Sequence, residues 1–257
     1  MPLNKSGLYL VLSIVCGLSF AAQPRPFMVN SLGKPIYNYA RSICGVNKML
    51  PMITESDEMK KMGTPIGIYR ANMDGGVGMC TGTLITKDLF LTAQHCEAKC
   101  EDIKVTFGYL KESREETFAC KEVVEKGNGS EQNDYMLVRL EGNPGTVWGW
   151  YDITDKAVAP NTPLLMIHHP GGTPMKVSIN DCHMVEEKDN FVEHRCDTQP
   201  GSSGSAILLP NFEKPQETRV VGVHTLGGCD ATPTSYNSGP SMRHLVSISP
   251  LLKSLVK

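Results

Sequence analysis

Charge of one sign is what this chain most plainly lacks. Its 257 residues carry 25 Lys and Arg against 27 Asp and Glu, a formal net charge of −2. Nothing in that balance points to nucleic acid or an anionic membrane surface as partner. The chain has no internal repeat and no low-complexity tract, which sets aside repeat architectures. Long hydrophobic runs are scarce too. The longest, residues 8–20, is too short for a comfortable membrane span. It follows a start that carries Lys5 and no acid, and leads into Ser19-Phe20-Ala21-Ala22. A basic start, an apolar stretch and small residues make a secretory signal over residues 1–22, cut after Ala21 or Ala22. Cys16 invites a lipoprotein reading, but Val15 before it is larger than such signals usually carry. The mature protein is therefore expected outside the cell or in the periplasm, with no membrane attachment.

Export changes how cysteine is read. Loss of the signal removes Cys16 and leaves Cys44, Cys80, Cys96, Cys100, Cys120, Cys182, Cys196 and Cys229. An even set in an oxidising space implies disulfides, although the sequence alone does not give their connectivity. A structural zinc site lacks its pattern: Cys96 and Cys100 with His95 come nearest, with no second closely spaced Cys pair. No metal and no cofactor is expected.

Residues 23–62 have mixed polarity and read as an N-terminal arm or a prosegment. From Thr64 onward, short apolar runs alternate with Gly, Pro, Asn and Asp. They cover residues 66–69, 82–86, 89–92, 103–107, 135–140, 164–167, 206–209 and 220–223. Many short strands at fairly regular spacing predict a β-sandwich or barrel. The length suits one large domain or two small ones. The Gly- and Pro-containing stretch between residues 141 and 162 reads as a crossing between two halves, residues 63–150 and 151–257. Ser247 or Ser249 as cap, Pro250 in a first turn and residues 251–257 predict a short C-terminal helix.

Three motifs carry chemistry. Gly201-Ser202-Ser203-Gly204-Ser205 holds a serine between glycines. Its hydroxyl is inert at neutral pH until a base takes its proton. Thr92-Ala93-Gln94-His95-Cys96 offers that base. Asn133-Asp134 ahead of an apolar strand offers a carboxylate to fix the base's tautomer. Taken singly, His95 is a core histidine, Asp134 a strand cap and Ser203 a turn serine as readily as catalytic residues. Their joint order His, Asp, Ser is what points to nucleophilic catalysis. The order also differs from the esterase-like hydrolases, where Asp and then His follow the serine.

In these three motifs, with Cys80-Thr81-Gly82-Thr83-Leu84-Ile85 ahead of the first, the chain resembles the trypsin/chymotrypsin-like serine peptidases. It is most similar to their bacterial branch of glutamyl and lysyl endopeptidases, from about Gly63 to the end. The resemblance implies an all-β fold of two packed six-stranded Greek-key β-barrels with a short C-terminal helix. It implies a secreted serine endopeptidase acting on polypeptides as a monomer. Ser203 is the nucleophile, His95 the base, Asp134 its orienting partner, and the N–H groups of Gly201 and Ser203 the oxyanion hole. A catalytically inactive binding protein on the same scaffold is the rival reading; such proteins usually lose a triad residue, and all three stand here.

Other roles follow by resemblance. Cys80–Cys96 brackets the catalytic His. Cys182–Cys196 closes a hairpin before the nucleophile loop, Cys44–Cys229 ties the arm to the second barrel, and Cys100 is left with Cys120. Ser202 stands where many animal members carry the acid that pairs with a newly cut N-terminus, so latency falls to residues 23–62 instead. Asp197 aligns with the acidic pocket base that favours Lys or Arg. Thr198 and His224 align with residues that hold substrate glutamate. The preference leans to Glu, with Lys or Arg as the alternative. His168-His169-Pro170-Gly171-Gly172 resembles a lysyl endopeptidase segment. Its two His point opposite ways if the segment is a strand, and both are read as structural.

Overall fold

In a computed structural model, residues 25–36, 42–110 and 114–257 are described. The signal reading on residues 1–22 lies outside them. Strand β1 (Phe27–Val29) begins the arm. It continues through β2 (Leu50–Pro51) and helix α1 (Asp57–Met62), which Ser56 caps by accepting from the Met59 N–H.

The first half is a closed antiparallel barrel of six strands: β3 (Ile66–Met73), β4 (Gly76–Leu84), β5 (Leu89–Thr92), β6 (Ile103–Phe107), β7 (Glu116–Lys126) and β8 (Met136–Leu140). The order is β4-β3-β6-β7-β8-β5, closed by β4–β5 pairing, and β1 adds to the outer edge of β4. Closure leaves no open edge apart from the one β1 covers. Tyr69, Phe90 and Phe107 fill the barrel, with Phe90 edge-on to Phe107 at a centroid distance of 6.0 Å. Gly82 is required by this packing: a Cβ there would lie 2.4 Å from the Phe90 ring.

A turn of helix, α2 (Gly145–Trp148), and the short strand β9 (Asp152–Ile153) lead into the second half. There the strands are β10 (Met166–His168), β11 (Lys176–Ser178), β12 (Met184–Lys188), β13 (Phe191–His194), β14 (Ala206–Leu209), β15 (Arg219–Val223) and β16 (Asn237–Pro240). Taking β11 and β12 as two segments of one interrupted run gives six strands. They form three small sheets joined by single bridges such as Leu165–Leu208 and Gly222–Ser241. The arm joins this half through β2, which pairs with β11. One apolar core runs from Ile66, Leu91 and Leu137 of the first half to Ile167, Val177, Leu208 and Val223 of the second.

The C-terminus holds two short helices rather than one. Helix α3 (Met242–Ile248) is capped by Ser241, and α4 (Pro250–Leu255) by Ser249, with Pro250 in its first turn. No helix among the described residues is long and apolar enough to cross a membrane.

Candidate active site

Pairing of β5 with β8 sets Thr92 opposite Met136. Three residues beyond Thr92 lies His95, and two before Met136 lies Asp134, so the two meet at one end of the barrel. His95 sits in a short 3-10 turn, Gln94–Cys96. The Cys80–Cys96 disulfide and a 2.8 Å hydrogen bond from the Tyr69 hydroxyl to the Cys96 carbonyl hold that turn. Both Asp134 oxygens face His95: Oδ1 accepts its backbone N–H at 2.9 Å, and Oδ2 lies 2.7 Å from Nδ1. The carboxylate therefore fixes the tautomer with the proton on Nδ1. Nε2 is left as an acceptor, buried and without a hydrogen-bond partner among the described residues. An unprotonated nitrogen with nothing to accept from is what a general base presents before substrate binds.

The loop carrying Ser203 is pinned from several sides. Ser202 N–H donates to Gln199 C=O at 2.9 Å, Ser205 N–H to Ser202 C=O at 3.0 Å, and Gly204 N–H to His224 C=O at 2.8 Å. Thr81 of the first barrel reaches across: its N–H donates to Ser203 C=O at 2.9 Å and its hydroxyl to Gly201 C=O at 2.8 Å. Gly201 has φ +94°, and a Cβ there would lie 2.9 Å from the His169 carbonyl oxygen. Only glycine meets both conditions without strain. Across residues 199–205, the N–H groups with no partner among the described residues are those of Gly201 and Ser203.

His95 thus carries the Asp134 carboxylate on Nδ1, and Ser203 lies on a pinned loop with two unpartnered N–H groups. The family model for "Lysyl endopeptidase, C-terminal domain" matches residues 43–239. The chain belongs to this family. It is a serine endopeptidase hydrolase with the chymotrypsin fold. A solved structure described as "Structure of Glu endopeptidase in complex with MPD" superposes with a TM-score of 0.54 at 24% identity, covering 70% of this chain and 85% of that one. No curated protein sequence matches.

Four disulfides link Cys44–Cys229, Cys80–Cys96, Cys100–Cys120 and Cys182–Cys196. Cys80, His95 and Cys96 bring potential metal-ligand atoms within 4.8 Å of one another. Both sulfurs are in one disulfide, so the peptidase has no thiolate there and the set is a poor metal site.

The residues expected at the specificity pocket divide into two groups. Asp197 is buried, and its carboxylate is occupied by the arm: Oδ1 accepts Cys44 N–H at 2.8 Å and Oδ2 accepts Lys48 N–H at 2.7 Å. Thr198 pairs its backbone with Ser42 of the arm, while its Oγ1 is buried with no partner among the described residues. His224 is buried next to His194, with 3.3 Å between His224 Nδ1 and His194 Nε2. Burial, reinforced by the nearby His95, pushes its pKa down to about 3, and Asp134 opposes this only in part. Burial likewise holds His194 well below the ordinary histidine range, with His224 and His168 adding to the shift. Both rings are therefore neutral. His194 Nδ1 accepts from Cys196 N–H at 3.2 Å, so its proton is on Nε2 and is donated to His224 Nδ1. His224 is left with its proton on Nε2, a donor.

The adjacent His168 and His169 have separate partners. His169 Nδ1 faces Thr173 C=O at 3.1 Å and its ring stacks on Tyr109 at 5.7 Å. His168 reaches Ser202 and Ser178. Residues missed from sequence were Thr81, His194 and Asn237, whose Nδ2 ties Ser42 C=O to Cys196 C=O. Their partners lie 30 or more positions away, so only the fold brings them together.

Proposed function

We propose that this peptidase is exported and cuts polypeptides through His95, Asp134 and Ser203, with a preference for glutamate before the scissile bond. Ser203 Oγ attacks the carbonyl carbon while His95 Nε2 takes its proton. The N–H groups of Gly201 and Ser203 receive the oxyanion. His95 then protonates the leaving amine, and water repeats the cycle on the acyl-enzyme. The observation that carries this reading is the pair His95–Asp134, with Nε2 left as a free acceptor.

Glutamate preference rests on the pocket's polarity. The Asp197 carboxylate already holds two arm N–H groups, whereas Thr198 Oγ1 is unpartnered and His224 Nε2 is a donor. If these two groups face one pocket, as the resemblance implies, their donors suit a carboxylate, since each buried donor left unpaired costs about 1–3 kcal/mol. The family's name favours Lys instead, and that alternative needs a free acid that Asp197 does not offer. Export is supported by four disulfides and by the leader-like start. Residues 42–62 act as a retained arm in this reading, because Cys44 is tied to Cys229. The working unit is a monomer.

A fluorophosphonate probe tests the catalytic reading. Labelling on Ser203, lost in His95→Ala, is expected. A folded protein with no label would favour the inactive binding scaffold. Two peptides differing only in Glu or Lys before the scissile bond test the preference.

A further inference from the structure

His168, the last residue of β10, is fully buried, yet neither the triad nor the pocket uses it. Its two ring nitrogens meet two serine hydroxyls, Nδ1 with Ser202 Oγ at 2.8 Å and Nε2 with Ser178 Oγ at 3.2 Å. The outer partners fix the direction of every proton. Ser178 Oγ donates its one hydrogen to Asp197 C=O at 2.7 Å, so towards the imidazole it can only accept. Nε2 therefore carries the ring proton. Burial, with His224, His169 and Lys176 adding to it, holds His168 well below the ordinary histidine range, so the ring is neutral. Nδ1 is then a bare acceptor, and the Ser202 hydroxyl donates to it. Ser202 Oγ in turn accepts the Gln199 N–H at 3.2 Å.

Every member of this buried chain is satisfied: Gln199 to Ser202, Ser202 to His168, His168 to Ser178, Ser178 to Asp197. Through one imidazole, Asp197 and Ser202, on either side of Gly201, are fastened to β11 and β10. A fully satisfied buried network of this kind rigidifies what it spans. A shift of about 1 Å at a reacting centre costs on the order of 100-fold in rate.

We propose that His168 is a positioning residue of the oxyanion hole, acting on the Gly201 and Ser203 N–H groups through Ser202 and Ser178. This rests on reading those two N–H groups as the oxyanion donors. The chain asks for one acceptor and one donor on the same ring, which a neutral imidazole supplies and an aliphatic side chain does not.

The test is Ser202→Ala, which removes one hydroxyl and leaves His168 in place. It is read by kcat, KM, thermal midpoint, and affinity for a peptide aldehyde that mimics the tetrahedral intermediate. We expect kcat to fall about tenfold to 100-fold, short of the 100- to 1,000-fold typical of losing one oxyanion donor outright. KM should stay within about twofold, while the aldehyde weakens in parallel with kcat/KM, the signature of a transition-state interaction. Ser178→Ala should act in the same direction more weakly, and the double variant should lose less than the product of the two single losses. Unchanged kcat in folded Ser202→Ala, or a loss confined to stability in both variants, would overturn the proposal. Ser203→Ala separates the two readings. If it keeps full activity, the catalytic reading of the loop fails. If it is inactive while Ser202→Ala turns over normally, only the role of His168 fails.

Discussion

Asp197 Oδ1 accepts the backbone N–H of Cys44 at 2.8 Å, joining the loop ahead of the nucleophile to the N-terminal arm. The other carboxylate oxygen accepts from Lys48 N–H at 2.7 Å. With both oxygens so occupied, the side chain acts as an anchor. Asp197→Asn replaces one acceptor with a donor facing an N–H. It should lower stability by about 1–3 kcal/mol, measured by thermal unfolding. The ratio of kcat/KM for Glu over Lys peptides should hold within about tenfold. A collapse of residue preference without loss of stability would return Asp197 to the pocket.

Asp134→Asn should leave the fold intact and lower kcat by about 10⁴-fold, because an amide no longer dictates that the His95 proton sits on Nδ1. Adding His95→Ala should cost about a further 100-fold, far less than the product of the two single losses, since residues acting as a unit are not additive. Steady-state kinetics on the single and double variants check both statements.

Gly201→Ala meets two obstacles, φ +94° and a His169 carbonyl oxygen 2.9 Å from the new Cβ. The strain of an L-residue there is about 1–2 kcal/mol. Relieving it moves the N–H proposed to receive the oxyanion, so kcat should drop at least about 100-fold. Near-normal turnover would place the oxyanion donors elsewhere.

Stability should fall with acid earlier than carboxylates alone dictate. His168, His169, His194 and His224 are buried, and burial lowers each pKa, to about 3 for His169 and His224. The unfolded chain takes up protons near pH 6.5 that the folded chain refuses. Their contribution is therefore complete above that pH and falls towards pH 3. Each withheld proton shifts the folding equilibrium about tenfold per pH unit. Denaturant midpoints between pH 7 and 4 should show this slope, and His169→Gln should reduce it by one proton's worth.

The parts of this molecule that sequence made legible are those built from near neighbours. Strands β5, β6 and β14 coincide with apolar runs, because buried strands read as continuous hydrophobic stretches. Strand β7 was missed: Glu116, Lys121, Glu122, Glu125 and Lys126 break it up, leaving only Phe118-Ala119-Cys120 and Val123-Val124 as short apolar stretches. Strand β16 was hidden by Gly239 and Pro240, which usually argue against a strand. The motifs brought His95, Asp134 and Ser203 into view. The direction of the Asp197 side chain was not legible, since it depends on backbone N–H groups 149 and 153 residues away. The chain through His168 was hidden for the same reason, as its links span up to 34 positions.

Cleavage-site profiling of a peptide library by the purified enzyme, with Ser203→Ala as control, bears most directly on the proposed activity. Cuts after Glu are expected, absent from the control and weakened in His224→Ala. Cuts confined to positions after Lys or Arg would contradict the proposed preference.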